Sequence, residues 1–144
     1  MKKDKLLRFL KRVDLDFPVP LSAKQDLDAL ASKLIDKATL CYELDGGEIT
    51  ALVAGYTNDP NKDSAYITIV AVLNEARGKG TGKRLVKSFI DKSAEKGFNS
   101  VNLYTTKNNE RAIKMYKSLG FVEYKIENEP RPNDLHLIYY IKEN

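Results

Sequence analysis

Residues 75–86, EARGKGTGKRLV, set glycines at 78, 80 and 82 among the cations Arg77, Lys79 and Lys83, directly after the apolar run AYITIVAVL. Glycine weakens helices and strands alike, so three at alternate positions imply a use for the missing side chain. The run before them is β-branched and almost wholly apolar, as a central strand is. The residues after them place Leu85, Val86, Phe89, Ile90 and Ala94 at helical spacing, up to a stop at Gly97. A strand-to-helix turn presents unpaired backbone N–H groups and the positive end of the helix dipole. With three cations added, the stretch reads as an anion cradle, best matched to a pyrophosphate.

Two common phosphate loops do not fit. A Walker A loop needs Gly, four residues, then Gly-Lys-Ser/Thr. Here the residue five before Gly82 is Arg77, and Lys83 is followed by Arg84. A dinucleotide fingerprint needs Gly-x-Gly-x-x-Gly in the first strand–helix unit. This spacing is Gly-x-Gly-x-Gly, midway along the chain.

The elements that must position the cradle follow from periodicity. Lys5 to Arg12 reads as a short amphipathic helix on Leu6, Phe9, Leu10 and Val13, broken by DFPVPLS. Ser22 with Gln25 forms a capping box for a second helix on Leu27, Leu30, Ala31, Leu34 and Ile35, running to about Lys37. ATLCYELDGGEITALVAGY is two extended runs around Asp45–Gly46–Gly47, a hairpin signal. After the cradle helix come the strand SVNLYTT, the helix NNERAIKMYKSLG, and the strands FVEYKIE and LHLIYYIK around a proline-containing loop. Helices, three strands, helix, strand, helix and two strands make a single α/β domain over 1–144.

Composition limits the rest. The 144 residues are 42% apolar and 31% charged, as in an ordinary globular domain. Twenty-four Lys and Arg against twenty Asp and Glu give +4, which suits an anionic ligand but is too small and dispersed for nucleic acid. No apolar stretch approaches the roughly 18 residues of a membrane span. Cys41 stands alone and His136 is the single histidine, so neither a disulfide framework nor a Cys/His metal set forms. The expected setting is the reduced cytoplasm.

Arg77–Gly78–Lys79–Gly80–Thr81–Gly82, preceded by VAV, resembles the acetyl-CoA-binding motif of the GNAT superfamily of N-acetyltransferases. Asn109, Ala112, Tyr116, Gly120 and Phe121 match that family's Asn-x-x-Ala-x-x-x-Tyr-x-x-x-Gly-Phe pattern, one helix and one strand further on. The likeness covers residue 38 to the end. It implies a mixed, curved sheet of six or seven strands with about four helices, split in a V between AYITIVAV and SVNLYTT. Family members commonly open with a strand, for which only LDFPV offers a short equivalent.

The resemblance also implies roles. Val70, Ala71 and Val72 would pair with the pantetheine arm as an added strand. Arg77, Gly78, Lys79, Gly80, Thr81, Gly82 and Lys83 would hold the pyrophosphate, and Asn109 would bond the pantetheine region. The Val72 N–H would polarise the acetyl carbonyl, and Tyr116 would donate a proton to the departing CoA thiolate. Tyr116 shares a helix face with Ala112, Ile113 and Leu119, so core packing is the competing reading; both can hold, and the motif favours the acid. Tyr66 stands where some members carry a glutamate base, with Thr68 the next residue on that face. Asp59 and Asp63, in the preceding loop, either orient a cationic acceptor or shape the turn. His136 and Cys41 read as structural.

The acceptor is an unidentified amine, an amino sugar or other small metabolite ahead of a protein. GYTNDPNKDSAYIT looks like small bacterial members tied to surface-polysaccharide synthesis, hence an amino sugar carried on a nucleotide. The competing class is a non-catalytic CoA-binding domain. A monomer or a homodimer is expected.

Overall fold

The computed structural model describes residues 1–142. Its elements run α1 (Lys3–Val13), α2 (Leu27–Lys37), β1 (Thr39–Asp45), β2 (Glu48–Tyr56), β3 (Ala65–Val72), α3 (Thr81–Glu95), β4 (Ser100–Thr106), α4 (Glu110–Leu119), β5 (Val122–Glu123) and β6 (Asp134–Tyr140). One six-stranded sheet, in the order β1-β2-β3-β4-β6-β5, is antiparallel except between β3 and β4.

Each face of the sheet carries its own core. On one face Leu6, Phe9 and Leu10 of α1 and Leu30, Ala31 and Leu34 of α2 pack against Leu52, Ala54, Ile69 and Ala71. On the other, Leu85, Val86, Phe89 and Ile90 of α3 meet Ala51, Val53, Ile67, Val101, Leu103 and Leu137. The helical spacings place most of these residues correctly. On α3, however, Ser93 turns inward and Ala94 outward; the Ser93 hydroxyl is buried by donating to the Phe89 carbonyl at 2.9 Å. Ile35 of α2 stays more than a third exposed.

A β-bulge makes the two cores compatible along β3. Ala54 lies opposite Ile69, whereas its neighbour Gly55 lies opposite Ile67, so Thr68 is left without a partner. An extra residue in one strand reverses which side chains face which side. Ile67 accordingly packs toward α3, Ile69 and Ala71 toward α1 and α2, and Val70 and Val72 toward α3. The plain alternation that puts Tyr66 and Thr68 on one face is interrupted at Thr68.

Three sequence expectations need correction. The cap of α2 is Asp26, whose carboxylate accepts from the Ala29 N–H at 3.0 Å. Ser22 instead sits in a 3-10 turn, its hydroxyl and N–H both donating to the Asp14 carboxylate at 2.5 and 2.8 Å. A carboxylate three residues before a free helix amide wins over a serine whose hydroxyl is already bound. Asp26→Ala should cost about 1 kcal/mol, a fall of about 3 °C in Tm by thermal denaturation. FVEYKIE yields only the two-residue β5, because the chain leaves the edge of β6 after Tyr124 and crosses over the sheet. LDFPV forms no strand; Asp14–Asp16 is a 3-10 turn, and the sheet starts at β1.

Candidate active site

Parallel β3 and β4 pair only at Ala65 with Val101 and at Tyr66 with Asn102. Beyond that point β4 stays in register with β6 along its whole length, while β3 stays on β2. A fork therefore opens at Tyr66, as the expected V-shaped split requires. The Leu73 N–H bonds the Thr50 carbonyl at 2.9 Å. Backbone groups alternate along a strand, so Ala71 and Leu73 address β2, and Val70 and Val72 turn theirs toward the split. Part of this edge is used internally, since Arg77 Nε donates to the Val72 carbonyl at 3.1 Å.

The cradle follows directly. Gly78 (φ 83°) and Gly80 (φ 73°) adopt the left-handed region that a side chain disfavours. Gly82 has ordinary backbone geometry, and a Cβ there would rest at an ordinary contact distance, 3.6 Å from Val72 Cγ2. Gly80 heads α3 without a side-chain cap, and the first amide with an intrahelical partner is that of Arg84, bonded to the Gly80 carbonyl at 3.0 Å. The N–H groups of Thr81, Gly82 and Lys83 thus remain as orphan donors at a 15-residue helix. The cleft here, about 610 Å³, takes in Val70–Val72, the glycine loop, Asn109 and, on its far wall, Phe17 and Pro18.

Two residues of this region were missed from sequence. Arg84 braces the loop, donating to the Lys79 carbonyl at 2.7 Å and the Thr81 hydroxyl at 3.1 Å while pairing with Glu43. Its one signal was its place a helical turn after Gly80. Asp16 pairs with Arg77 at 3.0 Å across the cleft mouth, a contact over 61 residues that no local pattern announces.

The remaining candidates separate. Asn109 precedes α4, lines the cleft and does not cap its own helix. Tyr116 is 5% exposed, stacks edge-on against Phe121 at 5.6 Å, and is not among the cleft-lining residues. Burial pushes its phenol up to about 12. No buried side-chain polar atom among the described residues lacks a partner, yet no hydrogen bond is made by the Tyr116 hydroxyl, so that oxygen retains an opening to solvent. Tyr66 and Thr68 lie at the fork. Asp59 shapes its turn by accepting from the Asn61 and Asp63 N–H groups at 3.0 and 3.3 Å, and Asp63 precedes β3, at the strand end opposite Val72. Neither aspartate is brought to the cradle. His136 is buried in β6 and Cys41 in β1.

A family model described as acetyltransferase (GNAT) family matches residues 7–121. The chain belongs to that family. Over 108 residues it is 32% identical to a mycothiol acetyltransferase of Arthrobacter sp. (strain FB24), which covers 70% of this chain and 33% of that protein. The chain thus spans about a third of that relative's length. Among solved structures, Ard1 from Thermoplasma volcanium superimposes with a TM-score of 0.80 over 99% of this chain and 95% of that one, at 18% identity. An aminoglycoside 6'-N-acetyltransferase complexed with coenzyme A gives 0.75 over 99% and 92%, at 14% identity. The open six-stranded sheet with four helices is the GNAT fold.

Proposed function

We propose that this GNAT protein binds acetyl-CoA along β3 and transfers the acetyl group to a primary amine by direct attack. The observation that carries the reading is the continuity between the outward backbone edge at Val70–Val72 and the orphan amides of Thr81–Lys83. One edge can hold an extended, amide-bearing arm, and the other a pyrophosphate at its end. The coenzyme A complex of the aminoglycoside relative and the family match support it.

Residue roles follow from chemistry. Lys79 and Lys83 supply charge beside the helix amides, and Asn109 supplies an uncommitted amide to the arm. The Val72 N–H would hold the carbonyl oxygen as negative charge grows on it. The neutral amine's nitrogen forms its bond to the acetyl carbon, the C–S bond breaks, the sulfur leaves as thiolate, and the proton lost by nitrogen passes through water to that sulfur. A phenol pushed up to about 12 stays protonated through the neutral range. Transfer of its proton to a thiolate of pKa about 8.5 runs uphill. Tyr116 therefore acts by hydrogen-bonding the thiolate as it forms, with water completing the protonation.

The acceptor is a small amine. Mycothiol acetyltransferase and the aminoglycoside acetyltransferase are both named for small molecules. An amino sugar stays within this class. The non-catalytic alternative draws on Tyr66, which offers no carboxylate where some members carry a glutamate base.

Calorimetry separates these ideas. Acetyl-CoA should bind at least about a hundredfold more tightly than S-acetylpantetheine, which lacks the pyrophosphate; equal affinities would remove the cradle from the account. Tyr116→Phe should lower kcat by about 10- to 100-fold with acetyl-CoA affinity within about twofold of the parent. An undiminished kcat would assign the thiolate to another donor.

A further inference from the structure

On the sheet face away from α3, one side-chain network joins β4, β6 and the loop after β5. Glu129 in that loop reaches back over the sheet. Its Oε1 accepts from the Tyr104 hydroxyl, and its Oε2 faces His136 Nδ1 at 2.9 Å and takes the Ile126 N–H at 3.3 Å. His136 Nε2 lies 2.9 Å from Asn102 Oδ1. Asn102 is held in turn, its Nδ2 donating to the Ser64 hydroxyl at 2.7 Å and the Ala65 carbonyl at 3.1 Å. His136 is 6% exposed and stacks on the Tyr104 ring at 4.1 Å. No local sequence pattern signals this assembly.

Its place gives it meaning. Tyr104 stands two residues beyond Asn102, the last β4 residue paired with β3, so it sits where the fork opens. The Tyr66 ring meets it edge-on at 6.3 Å. Having donated to Glu129, the Tyr104 oxygen keeps its lone pairs, and Glu129 Oε1 keeps one. The nearby basic groups are Arg131, 5.4 Å above the Tyr104 ring and paired with Asp134 at 2.5 Å, and His136, which faces Glu129 Oε2 and leaves Oε1 to the fork. The Tyr104 oxygen and Glu129 Oε1 thus stand beside the Tyr66 and Tyr104 rings at the fork, each with accepting capacity left after their mutual hydrogen bond. Hydrogen bonding from Tyr104, and then from His136 and Ile126, holds the Glu129 carboxyl below its ordinary range, so the group is an anion at neutral pH. An anion of this kind is a counter-charge rather than a proton acceptor.

We propose that Tyr104 and Glu129 are the specificity residues for the acceptor, binding its amine as a primary ammonium that releases one proton to water before it attacks, with His136 and Asn102 as positioning residues that hold Glu129 over the fork. The proposal rests on the acetyl-transfer reading and narrows its substrate class to amines presented as cations. An ammonium offers three donors and suits a carboxylate–phenol pair.

The test uses n-butylammonium chloride and its neutral counterpart n-butanol as probes, titrated into the whole protein while Tyr and His ring resonances are followed. Butylammonium should shift the Tyr104 and His136 signals and saturate with a dissociation constant on the order of 10 mM, at least about tenfold tighter than butanol. Glu129→Gln should reduce that preference to about twofold or less. Tyr104→Phe, which keeps the ring and the fold, should reduce it at least about threefold. Equal binding of the two probes, or a preference that survives both substitutions, overturns the proposal. Acetyl-CoA calorimetry on the same samples reads the cofactor site independently. Its loss in the parent protein would count against acetyl transfer and leave the ammonium site standing or falling on its own titration.

Discussion

Replacing Gly80 with aspartate is expected to weaken acetyl-CoA binding by at least about a hundredfold while the protein remains folded. Two costs add. The backbone at φ 73° is left-handed, which an L side chain adopts at roughly 1 kcal/mol or more. The carboxylate then stands at the head of α3, where the pyrophosphate would meet the amides of Thr81, Gly82 and Lys83. Like charges close together in a partly desolvated cleft repel by roughly 2–4 kcal/mol, and the same carboxylate could cap the free amides and occupy the anion's place. The nearest side-chain atom to a Cβ at Gly80 is Arg84 Nη1 at 3.7 Å, so no overlap drives unfolding. Calorimetry measures affinity, and thermal denaturation controls for the fold. Gly80→Ala separates the costs, retaining the strain without the charge, and should weaken binding by only about tenfold. An unchanged affinity for the aspartate variant would mean that the anion binds elsewhere.

The second large effect concerns stability. Gly55→Ala should destabilise the protein by about 3 kcal/mol, a fall of about 10 °C in Tm. A Cβ at this position would lie 2.5 Å from both Phe89 Cζ and the Tyr66 carbonyl oxygen. Phe89 is fully buried at the centre of the α3-side core, so its ring has no free volume to retreat into. The Tyr66 carbonyl belongs to the backbone beside the bulge and cannot rotate away. Relief therefore requires β2 and β3 to part next to Thr68, where the reversal of faces along β3 is made. Denaturant unfolding at fixed m-value measures the loss. A change below about 1 kcal/mol would show that the bulge shifts to accept a methyl group, and that Gly55 does not determine the register.

This clash also shows what could be read from the chain and what could not. The cradle was legible because its glycines, cations and helix start are adjacent in sequence and each has a local physical meaning. The second motif was legible through Asn109 and Tyr116 for the same reason, and the structure sets Asn109 on the cleft and Tyr116 in the core beside it. The bulge was not legible: Thr68 reads as one residue of an alternating strand, and the register shifts beside Gly55, a strand away. The cap of α2 was misplaced because Ser22 and Asp26 are both competent caps, and the choice was made by Asp14, which had already bound Ser22. Glu129 looked like one charge in a polar loop. Its partners His136, Tyr104 and, through His136, Asn102 lie on two strands 7 to 27 positions away, and only folding brings their hydrogen-bonding groups together. Local chemistry was therefore readable, and long-range pairing was not.

Mixing the protein with acetyl-CoA and following thiol release across three amine pools tests the central claim most directly. The pools are free and nucleotide-linked amino sugars, small polyamines and aminoglycosides, and peptides. Acetyl transfer to a small amine predicts release that depends on the amine, appears with a small-molecule pool rather than with peptides, and disappears with Gly80→Asp. Silence in all three pools alongside tight acetyl-CoA binding would contradict the enzymatic reading and favour a CoA-binding domain without catalysis. Silence with no binding at all would contradict the cradle itself.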